Sequence, residues 1–324
     1  MCGGPARHSG CLCPALHFPD KERSVSMRMN DGQPHRKRLT ATKVAPYIFI
    51  APAVTYFVCM SIIPIVMALP ISLTDWSALT PDRNFVGLEN YRKLLTDGEF
   101  WRSCLTMLKF FLYVPLVMLL GLGAAMLLNT GVRGMKFFRV LFYSPVITST
   151  VAAALLFEWF YQPSFGLFNN ILRVLGLPPS TWLNMPNTAF WSILIFMLWK
   201  NFGASMLIYL AGLQDIPQDV REAAAIDGAG SLARFCKITF PLLKPAHTYL
   251  LITNVISVFM IFQETYVLRG TTDTLAVKTV VNYIYEEGFQ FYRMGYASAM
   301  SFVLFIIIML ITLIQYRGMK IDIR

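Results

Sequence analysis

Residues 214–245 read QDIPQDVREAAAIDGAGSLARFCKITFPLLKP and decide the architecture, because this polar, helix-rich stretch lies between two long apolar segments. Pro217 suits the first turn of a helix, where its missing N–H would be unpaired anyway. The three alanines at 223–225 continue that helix with almost no side-chain bulk. Gly228 and Gly230 are expected to end it.

A second short helix is predicted from Ser231 to Lys237, and Pro241 is expected to stop it because proline cannot continue a hydrogen-bonded helix. Asp219 and Glu222 fall in the first turns of the first helix, where carboxylates favour the positive end of the helix dipole. The segment is therefore predicted to be a helix–turn–helix with a smooth surface, presented outside the membrane.

The composition of the chain predicts an all-α polytopic membrane protein with six transmembrane helices. Of its 324 residues, 56% are hydrophobic and 14% are charged, whereas about a quarter of an ordinary soluble domain is charged. Six apolar runs are long enough to cross a hydrocarbon core of about 30 Å as helices. They are continuous rather than alternating, which excludes a transmembrane β-barrel. The runs are Tyr47–Pro70, Leu105–Leu128, Val140–Tyr161, Ala189–Leu213, Ala246–Leu268 and Tyr296–Tyr316.

Lysine and arginine residues set the predicted orientation, because positive charge is enriched on the cytoplasmic side of a membrane protein. Eighteen of them fall in the segments on one side of the six runs and eight in the segments on the other side. Both termini and residues 214–245 are therefore predicted to be cytoplasmic. This asymmetry accounts for the net charge of +10 without a nucleic-acid partner.

Three regions are predicted along the chain. Residues 1–43 form a disordered, basic cytoplasmic tail without the apolar run of a signal peptide, and Met27 and Met29 are alternative start sites. Residues 44–316 form the membrane domain, and residues 317–324 form a cytoplasmic C-terminal tail. The six cysteines are scattered, without a C-x-x-C pair, so neither a disulfide framework nor a metal site is expected.

The polar segment resembles the EAA loop of permease subunits of bacterial ABC importers. The matching positions, which keep the family's spacing, are Glu222, Ala223, Ala224, Gly228, Ile238, Phe240 and Pro241. The usual form has leucine where this chain has Phe240. The sequences IDGAG, ITFPLLKP, TDW, FVGLENY, FGLFNNILRVLGL and MGYASAM resemble the carbohydrate branch of that family. The resemblance covers nearly everything from residue 44 to residue 316.

This resemblance implies that the loop docks as coupling helices in a cleft of a separate ATPase subunit. Small alanines permit close approach of a partner, and Glu222 can accept hydrogen bonds from it. The alternative is an ordinary cytosolic connector without a partner. The residues assigned to ATPase coupling are Glu222, Ala223, Ala224, Asp227, Gly228 and Pro241.

The resemblance also implies the partners of the chain: two ATPase subunits, a second homologous permease, an extracytoplasmic solute-binding protein, membrane lipid and a sugar substrate. The chain contains no GxxxxGK[ST] motif, so ATP is expected to bind the partner subunit and this chain is expected to need no cofactor. HExxH and GxSxG are also absent, so the chain is not expected to be an enzyme.

Polar residues inside the fourth and fifth apolar runs are candidates for the substrate pathway, which those spans line in sugar-importer permeases. The fourth-run group combines an aromatic face, a donor and an amide, the mixed lining that a sugar pocket needs. The fifth-run group is spaced by four and seven residues, which places it roughly on one helical face; Asn254 shares that face less well. The alternative is hydrogen bonding between helices of the bundle. The candidates are Trp199, Lys200, Asn201, Thr253, Ser257 and Glu264.

Two short helices are predicted outside the apolar runs. One spans Leu88–Leu95. The other contains apolar residues at helical spacing, which favours an interfacial helix lying on the membrane; docking of a binding protein near it is the alternative. These apolar residues are Leu167, Phe168, Ile171, Leu172 and Leu175.

The sequence therefore predicts a permease subunit that moves a mono-, di- or oligosaccharide across the bacterial cytoplasmic (inner) membrane, driven by a separate ATPase. One alternative is an ABC permease for a non-sugar solute such as glycerol phosphate or a polyamine. For a phosphorylated substrate, more cationic residues than Lys200 would be expected in the spans. The other alternative is a membrane scaffold or a membrane-bound enzyme without transport.

Overall fold

The regular structure of the chain is helical in the computed structural model, which describes residues 38–130, 134–269 and 276–318. Within those ranges, Thr74 and Phe85 form an isolated antiparallel bridge, and no strand is present. The all-α prediction is confirmed. The chain divides into two compact units, Met1–Val58 and Cys59–Arg324.

The first unit contributes helix α1, Arg38–Phe57. Because α1 begins before residue 44, residues 38–43 are helical, although they were predicted to belong to a disordered tail. The rest of that predicted tail, with Met27 and Met29, lies outside the described residues.

The second unit contains the other α-helices of the described residues. They are α2 Ile63–Ser72, α3 Glu89–Thr96, α4 Gly98–Phe110, α5 Tyr113–Leu128, α6 Met135–Ile147, α7 Thr150–Phe160, α8 Leu167–Val174, α9 Pro186–Asp215, α10 Gln218–Ile226, α11 Ser231–Arg234, α12 Phe240–Leu242, α13 Lys244–Phe259, α14 Gln263–Leu268, α15 Val280–Tyr285 and α16 Met294–Gly318.

Four helices of the described residues are long and apolar enough to cross a membrane: Ala45–Ser72, Gly98–Leu128, Pro186–Asp215 and Met294–Gly318. They correspond to the first, second, fourth and sixth predicted spans. Helices α6 and α7 form a fifth candidate span only if the two are counted as one. The pair is bent, with an angle of 98° between the two axes.

The third predicted span, Val140–Tyr161, is therefore not one continuous helix. The chain turns at Thr148 and Ser149, and the Ser149 hydroxyl accepts a hydrogen bond from the N–H of Ala152 as the N-cap of α7. Lys200, a residue of α9, donates to the carbonyl oxygens of Pro145, Val146 and Thr148 at this turn. The Pro145 oxygen also accepts from the Thr148 hydroxyl at 2.7 Å. A sequence run that is apolar throughout gives no sign of this break.

The fifth predicted span, Ala246–Leu268, is also interrupted. α13 ends at Phe259 and α14 begins at Gln263, and neither piece is long enough to qualify as a span by itself. The break is stabilised from a distant segment, because the Thr279 hydroxyl donates to the carbonyl oxygen of Ile261 at 2.8 Å. A break inside a membrane is tolerated where such contacts satisfy the freed backbone groups.

Helix α9 is the centre of the second unit, and small residues bring two other helices against it. A Cβ atom on Gly121 of α5 would lie 2.6 Å from the Cβ of Ser205, and a Cβ on Gly203 of α9 would lie 2.1 Å from the carbonyl oxygen of Phe142 in α6. Helices in membranes commonly pack closely at such small residues. Ile193 and Phe196 of α9 are fully buried in the main apolar core.

The two short helices predicted outside the apolar runs are present as α3 and α8. On α8, the side chains of Ile171 and Val174 are exposed. Asn169 is fully buried and fixes the loop that follows: it accepts hydrogen bonds from the Trp182 Nε1–H at 2.7 Å and from the N–H of Ser180 at 3.0 Å. α8 is thus attached through Asn169 and through the ring of Phe168, which packs against Phe157 and Trp182, while Ile171 and Val174 face outward.

The helix–turn–helix predicted at residues 214–245 is present, but Pro241 does not stop the second helix. After α11 the chain stays helical through a π-helical turn, Phe235–Thr239, and then through α12. Pro241 lies in the first turn of α12, where the wider π turn before it shifts the hydrogen-bond pattern and a missing N–H is tolerated. The helical course changes instead at Leu243.

Candidate functional site

A cavity of about 400 Å³ lies between α5, α9, α13 and α14. Its wall combines aromatic and aliphatic side chains with hydroxyl, amide and carboxylate groups, the composition typical of small-molecule sites. The polar groups come from Tyr113, Asn201, Ser205, Tyr249, Thr253, Asn254, Ser257 and Glu264.

Four of the six predicted pathway residues line this cavity. Asn201 reaches it from α9, Thr253 and Ser257 from α13, and Glu264 from α14. Thr253, Ser257 and Glu264 were predicted to share one helical face, but the helix breaks between Ser257 and Glu264, so that prediction is wrong. The break itself brings Glu264 to the cavity, in the first turn of α14, where a carboxylate is favoured.

Trp199 and Lys200 do not belong to the cavity wall. The Trp199 ring packs against Phe157, with 4.8 Å between the ring centroids. The Lys200 ammonium instead binds the carbonyl groups at the end of α6, and the residue is only 4% exposed. A helix turns successive side chains by about 100°, so three consecutive residues cannot share one face.

The hydrogen bonds of the cavity residues leave acceptor oxygens available to a ligand. Thr253 Oγ1 donates to the carbonyl of Tyr249 and Ser257 Oγ to that of Thr253, both at 2.9 Å. Asn201 Nδ2 donates to the carbonyl of Met197 at 3.1 Å. These donors bind their own helix, while each hydroxyl and amide oxygen retains acceptor capacity.

The sequence-based prediction did not include Tyr113, Ser205 or Tyr249 and ranked Asn254 below its neighbours. Asn254 lines the same cavity. Tyr113 lies in α5, outside the two runs that were searched, and Ser205 faces Gly121 where α5 and α9 approach each other. A search for polar residues in all six runs would have found Tyr113, although nothing local marks it as facing a cavity.

The second candidate site is the segment α10–α12, which we call the coupling loop (residues Gln218–Leu242). Gly228 has φ +75°, and the N–H of Ala229 donates to the carbonyl of Ala224 at 3.1 Å, the pattern of a glycine-capped helix end. Glu222 is exposed, and its Oε1 accepts a hydrogen bond from Gln218 Nε2 at 2.5 Å. Asp227 is also exposed.

The residues assigned to ATPase coupling do not all face outward. Ala223 and Pro241 are exposed, whereas Ala224 is 8% exposed. Ala224 instead lines a second cavity of about 400 Å³ between the coupling loop and the ends of α5 and α9. It therefore supports the inner side of the loop.

Comparison with known proteins gives a consistent result. Residues 109–320 match the family described as binding-protein-dependent transport system inner membrane component. The chain is 37% identical over 275 residues to the trehalose/maltose transport system permease protein MalF of Thermococcus litoralis, with 84% of this chain and 92% of that protein covered. It is 33% identical over 279 residues to the arabinooligosaccharides transport system permease protein AraP of Bacillus subtilis, covering 85% and 88%.

A solved structure supports the fold. The crystal structure of a bacterial alginate ABC transporter, in complex with an alginate pentasaccharide-bound periplasmic protein, contains a chain similar to this one. The TM-score is 0.79 at 21% identity, with 88% of this chain and 97% of that chain covered. The extent of the family match and the identity to these relatives confirm the membership expected from the spacing of Glu222, Gly228 and Pro241. The chain belongs to the family of binding-protein-dependent transport system inner membrane components.

Proposed function

We propose that this chain is the membrane-spanning permease subunit of an ABC importer for carbohydrate. One observation carries the proposal: α9 and α13, which line the cavity, are also the two helices that the coupling loop joins. A displacement of the loop therefore reaches the cavity through both of them.

The surface of the coupling loop suits a protein partner. Ile226 is 86% exposed and Leu232 is 74% exposed, and apolar side chains surrounded by polar ones commonly mark interaction sites. Glu222 offers an acceptor beside them, and Ala223 adds little bulk. We assign the contact with a separate ATPase subunit to this surface; ATP would bind that subunit and not this chain.

Transport follows from two arrangements of the bundle. Closure of the ATPase pair on ATP moves the loop around Glu222, and α9 and α13 rock so that access to the cavity alternates between the two sides. The break between Phe259 and Gln263 allows α13 to change direction relative to α14. Differential packing of the two states must supply the coupling energy.

The lining of the cavity favours a sugar over the alternative solutes. Its described residues include no lysine or arginine, so they offer no counter-charge to a phosphate group, and Glu264 is their only carboxylate, too little charge for a polyamine. Hydroxyl, amide and aromatic groups match the alternating polar and C–H surfaces of a sugar. The substrates named for the relatives, trehalose, maltose and arabinooligosaccharides, agree in chemical class.

The remaining parts of the proposal concern assembly and location. A second homologous permease would cover the open side of the cavity, and an extracytoplasmic binding protein would deliver the sugar. The chain would lie in the bacterial inner membrane with both termini and the coupling loop in the cytoplasm. Family membership supports membrane location and binding-protein dependence.

The decisive experiment is purification with the co-encoded subunits, followed by ATP hydrolysis measured over a panel of sugars, glycerol 3-phosphate and spermidine. A sugar is expected to stimulate hydrolysis, and Glu222→Lys is expected to remove the stimulation while the complex still assembles. A cysteine at position 222 should crosslink to the ATPase, whereas one at exposed Glu89 of α3 should not. Stimulation by glycerol phosphate or spermidine alone would refute the sugar assignment.

A further inference from the structure

The elbow between α6 and α7 frees backbone carbonyl groups within an apolar segment. α6 ends at Ile147 and α7 begins at Thr150, with an angle of 98° between them. The last carbonyls of any helix lack donors from that helix. Because water cannot replace those donors within a bilayer, the elbow needs donors from elsewhere in the fold.

Lys200 supplies these donors from α9. Its Nζ atom lies 2.6 Å from the carbonyl oxygen of Pro145, 3.2 Å from that of Val146 and 2.7 Å from that of Thr148. An ammonium group has three N–H donors, so each carbonyl can receive one. Several carbonyls converging on a buried positive charge at a helix C-terminus resemble the way in which broken membrane helices hold a monovalent cation.

A second contact, one turn further along α9, attaches the middle of α6 to the same helix. The backbones touch where Gly203 faces Phe142, since a Cβ on Gly203 would lie 2.1 Å from the Phe142 carbonyl oxygen. The rings of Phe142 and Phe202 pack beside this point, with centroids 5.6 Å apart. Lys200 and Gly203 therefore hold α6 at its end and at its middle.

Helix α9 connects these contacts to the coupling loop. It runs for 30 residues, Pro186–Asp215, without a break, and α10 begins at Gln218. A helix of that length spans about 45 Å. When the coupling loop moves, α9 is therefore expected to move with it, and the segments attached to α9, which include the elbow and the middle of α6, are expected to follow.

We propose that Lys200 is a positioning residue of the transport cycle: its ammonium takes the place of a bound cation at the elbow and makes the elbow move with α9 and the coupling loop. This inference rests on the proposed transport function. It does not require contact with substrate, because Lys200 is outside the cavity wall. It requires both charge and donors, because a neutral side chain leaves the carbonyls of Val146 and Thr148 without the donor that Lys200 supplies. The Pro145 oxygen keeps a partner, since it also accepts from the Thr148 hydroxyl.

The first test measures sugar molecules imported per ATP hydrolysed by the assembled importer in proteoliposomes. Lys200→Met keeps the length of the side chain and loses its charge and donors, and we expect this ratio to fall about tenfold or more because buried acceptors lose their partners. Lys200→Arg keeps a cation with several donors and should retain most of the ratio. Lys109→Met, at an exposed lysine of α4, is the matched control and should leave the ratio unchanged.

The second test is chemical rescue. Lys200→Ala removes the atoms of one n-propylammonium ion, so this ion should restore the ratio in that variant. Tetramethylammonium carries the charge without N–H donors and should not. If Lys200→Ala does not assemble alone, recovery of assembly with n-propylammonium is the readout, and continued failure counts against the proposal.

A readout that does not depend on sugar separates this proposal from the transport function. n-Propylammonium should raise the thermal unfolding midpoint of Lys200→Ala and leave that of Lys109→Ala unchanged, even if no tested sugar is imported by the unsubstituted protein. An unchanged import ratio in Lys200→Met would overturn the proposal. A loss of assembled protein in Lys200→Met with an unchanged ratio of sugar imported to ATP hydrolysed would also overturn it. The proposal would fail as well if n-propylammonium and tetramethylammonium rescued Lys200→Ala equally, or if neither did.

Discussion

The Tyr283 hydroxyl donates a 2.7 Å hydrogen bond to Asp97 Oδ2, although 186 residues separate the two in sequence. The Tyr296 hydroxyl donates to the same oxygen at 2.5 Å. The other carboxylate oxygen, Oδ1, accepts from the N–H groups of Glu99 and Phe100 and so caps α4. One carboxylate thus ties together α4, α15 and α16.

This arrangement predicts a pH-dependent contribution to stability. Burial would raise the pKa of Asp97, but hydrogen bonds from Tyr296, Tyr283 and two backbone N–H groups outweigh it and hold the pKa below its usual 3.8. A carboxyl group with a lowered folded-state pKa stabilises the protein above its unfolded pKa, and the stabilisation is lost as pH falls through the folded value.

We therefore expect the difference in thermal midpoint between the unsubstituted importer and Asp97→Asn to be constant above about pH 5 and to shrink below it. Asp82→Asn, at an exposed carboxylate before α3, serves as the control. Parallel pH profiles for the unsubstituted protein and Asp97→Asn would show that the carboxylate charge does not matter at this junction.

The left-handed turn of the coupling loop predicts unequal effects of two neighbouring substitutions. Gly228 has φ +75°, whereas Gly230 has φ −61° and ordinary extended geometry; a Cβ on either would meet nothing within 4 Å. Gly228→Ala should cost about 1–2 kcal/mol of backbone strain and should lower sugar-stimulated ATP hydrolysis. Gly230→Ala should introduce no such strain and leave sugar-stimulated ATP hydrolysis unchanged. Gly228→Pro, whose φ is fixed near −65°, should abolish uptake while insertion persists. Equal activity of the two alanine variants would exclude the turn from coupling.

Filling the cavity should weaken substrate recognition. Ser257 lines the cavity, and its hydroxyl donates only to its own helix, so Ser257→Leu adds bulk without leaving a buried donor unpaired. We expect the KM for sugar uptake to rise about tenfold or more, since even one misplaced methylene in a pocket has effects of that order. Ser144→Leu, at an exposed serine of α6 with a similar local bond, is the control. A KM unchanged in both variants would place the sugar elsewhere.

The exposed apolar side of α8 predicts contact with lipid. Ile171 is 46% exposed, whereas exposed Arg173 leaves the helix about 200° away and binds Asn170. In a background without native cysteines, a spin label at position 171 should be more accessible to oxygen than to a water-soluble nickel complex, and a label at position 173 should show the reverse. Protection of position 171 on addition of the binding protein would favour protein docking at α8 over membrane anchoring.

Local patterns in the sequence predicted the elements whose conformation depends on nearby residues. The alanines and Gly228 predicted α10 and its end, because helix propensity and a left-handed cap act within one turn. Of the six spans predicted from continuous apolar runs, four are present in the described residues as helices long enough to cross a membrane. Two predictions were wrong: that Pro241 ends the second helix, and that the third and fifth spans are continuous. In each case the course of the chain depends on hydrogen bonds that cannot be seen from neighbouring residues in the sequence.

Side-chain direction was the other source of error at the candidate site. Consecutive residues were grouped by chemical type, yet Trp199, Lys200 and Asn201 leave α9 in different directions, and Asn201 alone reaches the cavity. Glu264 reaches it because the chain breaks after Phe259, where Thr279 satisfies a freed carbonyl. The positions at which helices end therefore determine which side chains line the cavity.

By itself, the sequence determined the class of this protein, its family and the coupling loop, because hydropathy, charge asymmetry and residue spacing are properties of single segments. Only the tertiary structure decided where the third and fifth apolar runs bend and which polar groups meet. The physical reason is that a broken helix in an apolar surrounding exists only where distant residues, Lys200 for one break and Thr279 for the other, satisfy the carbonyl groups that the break exposes.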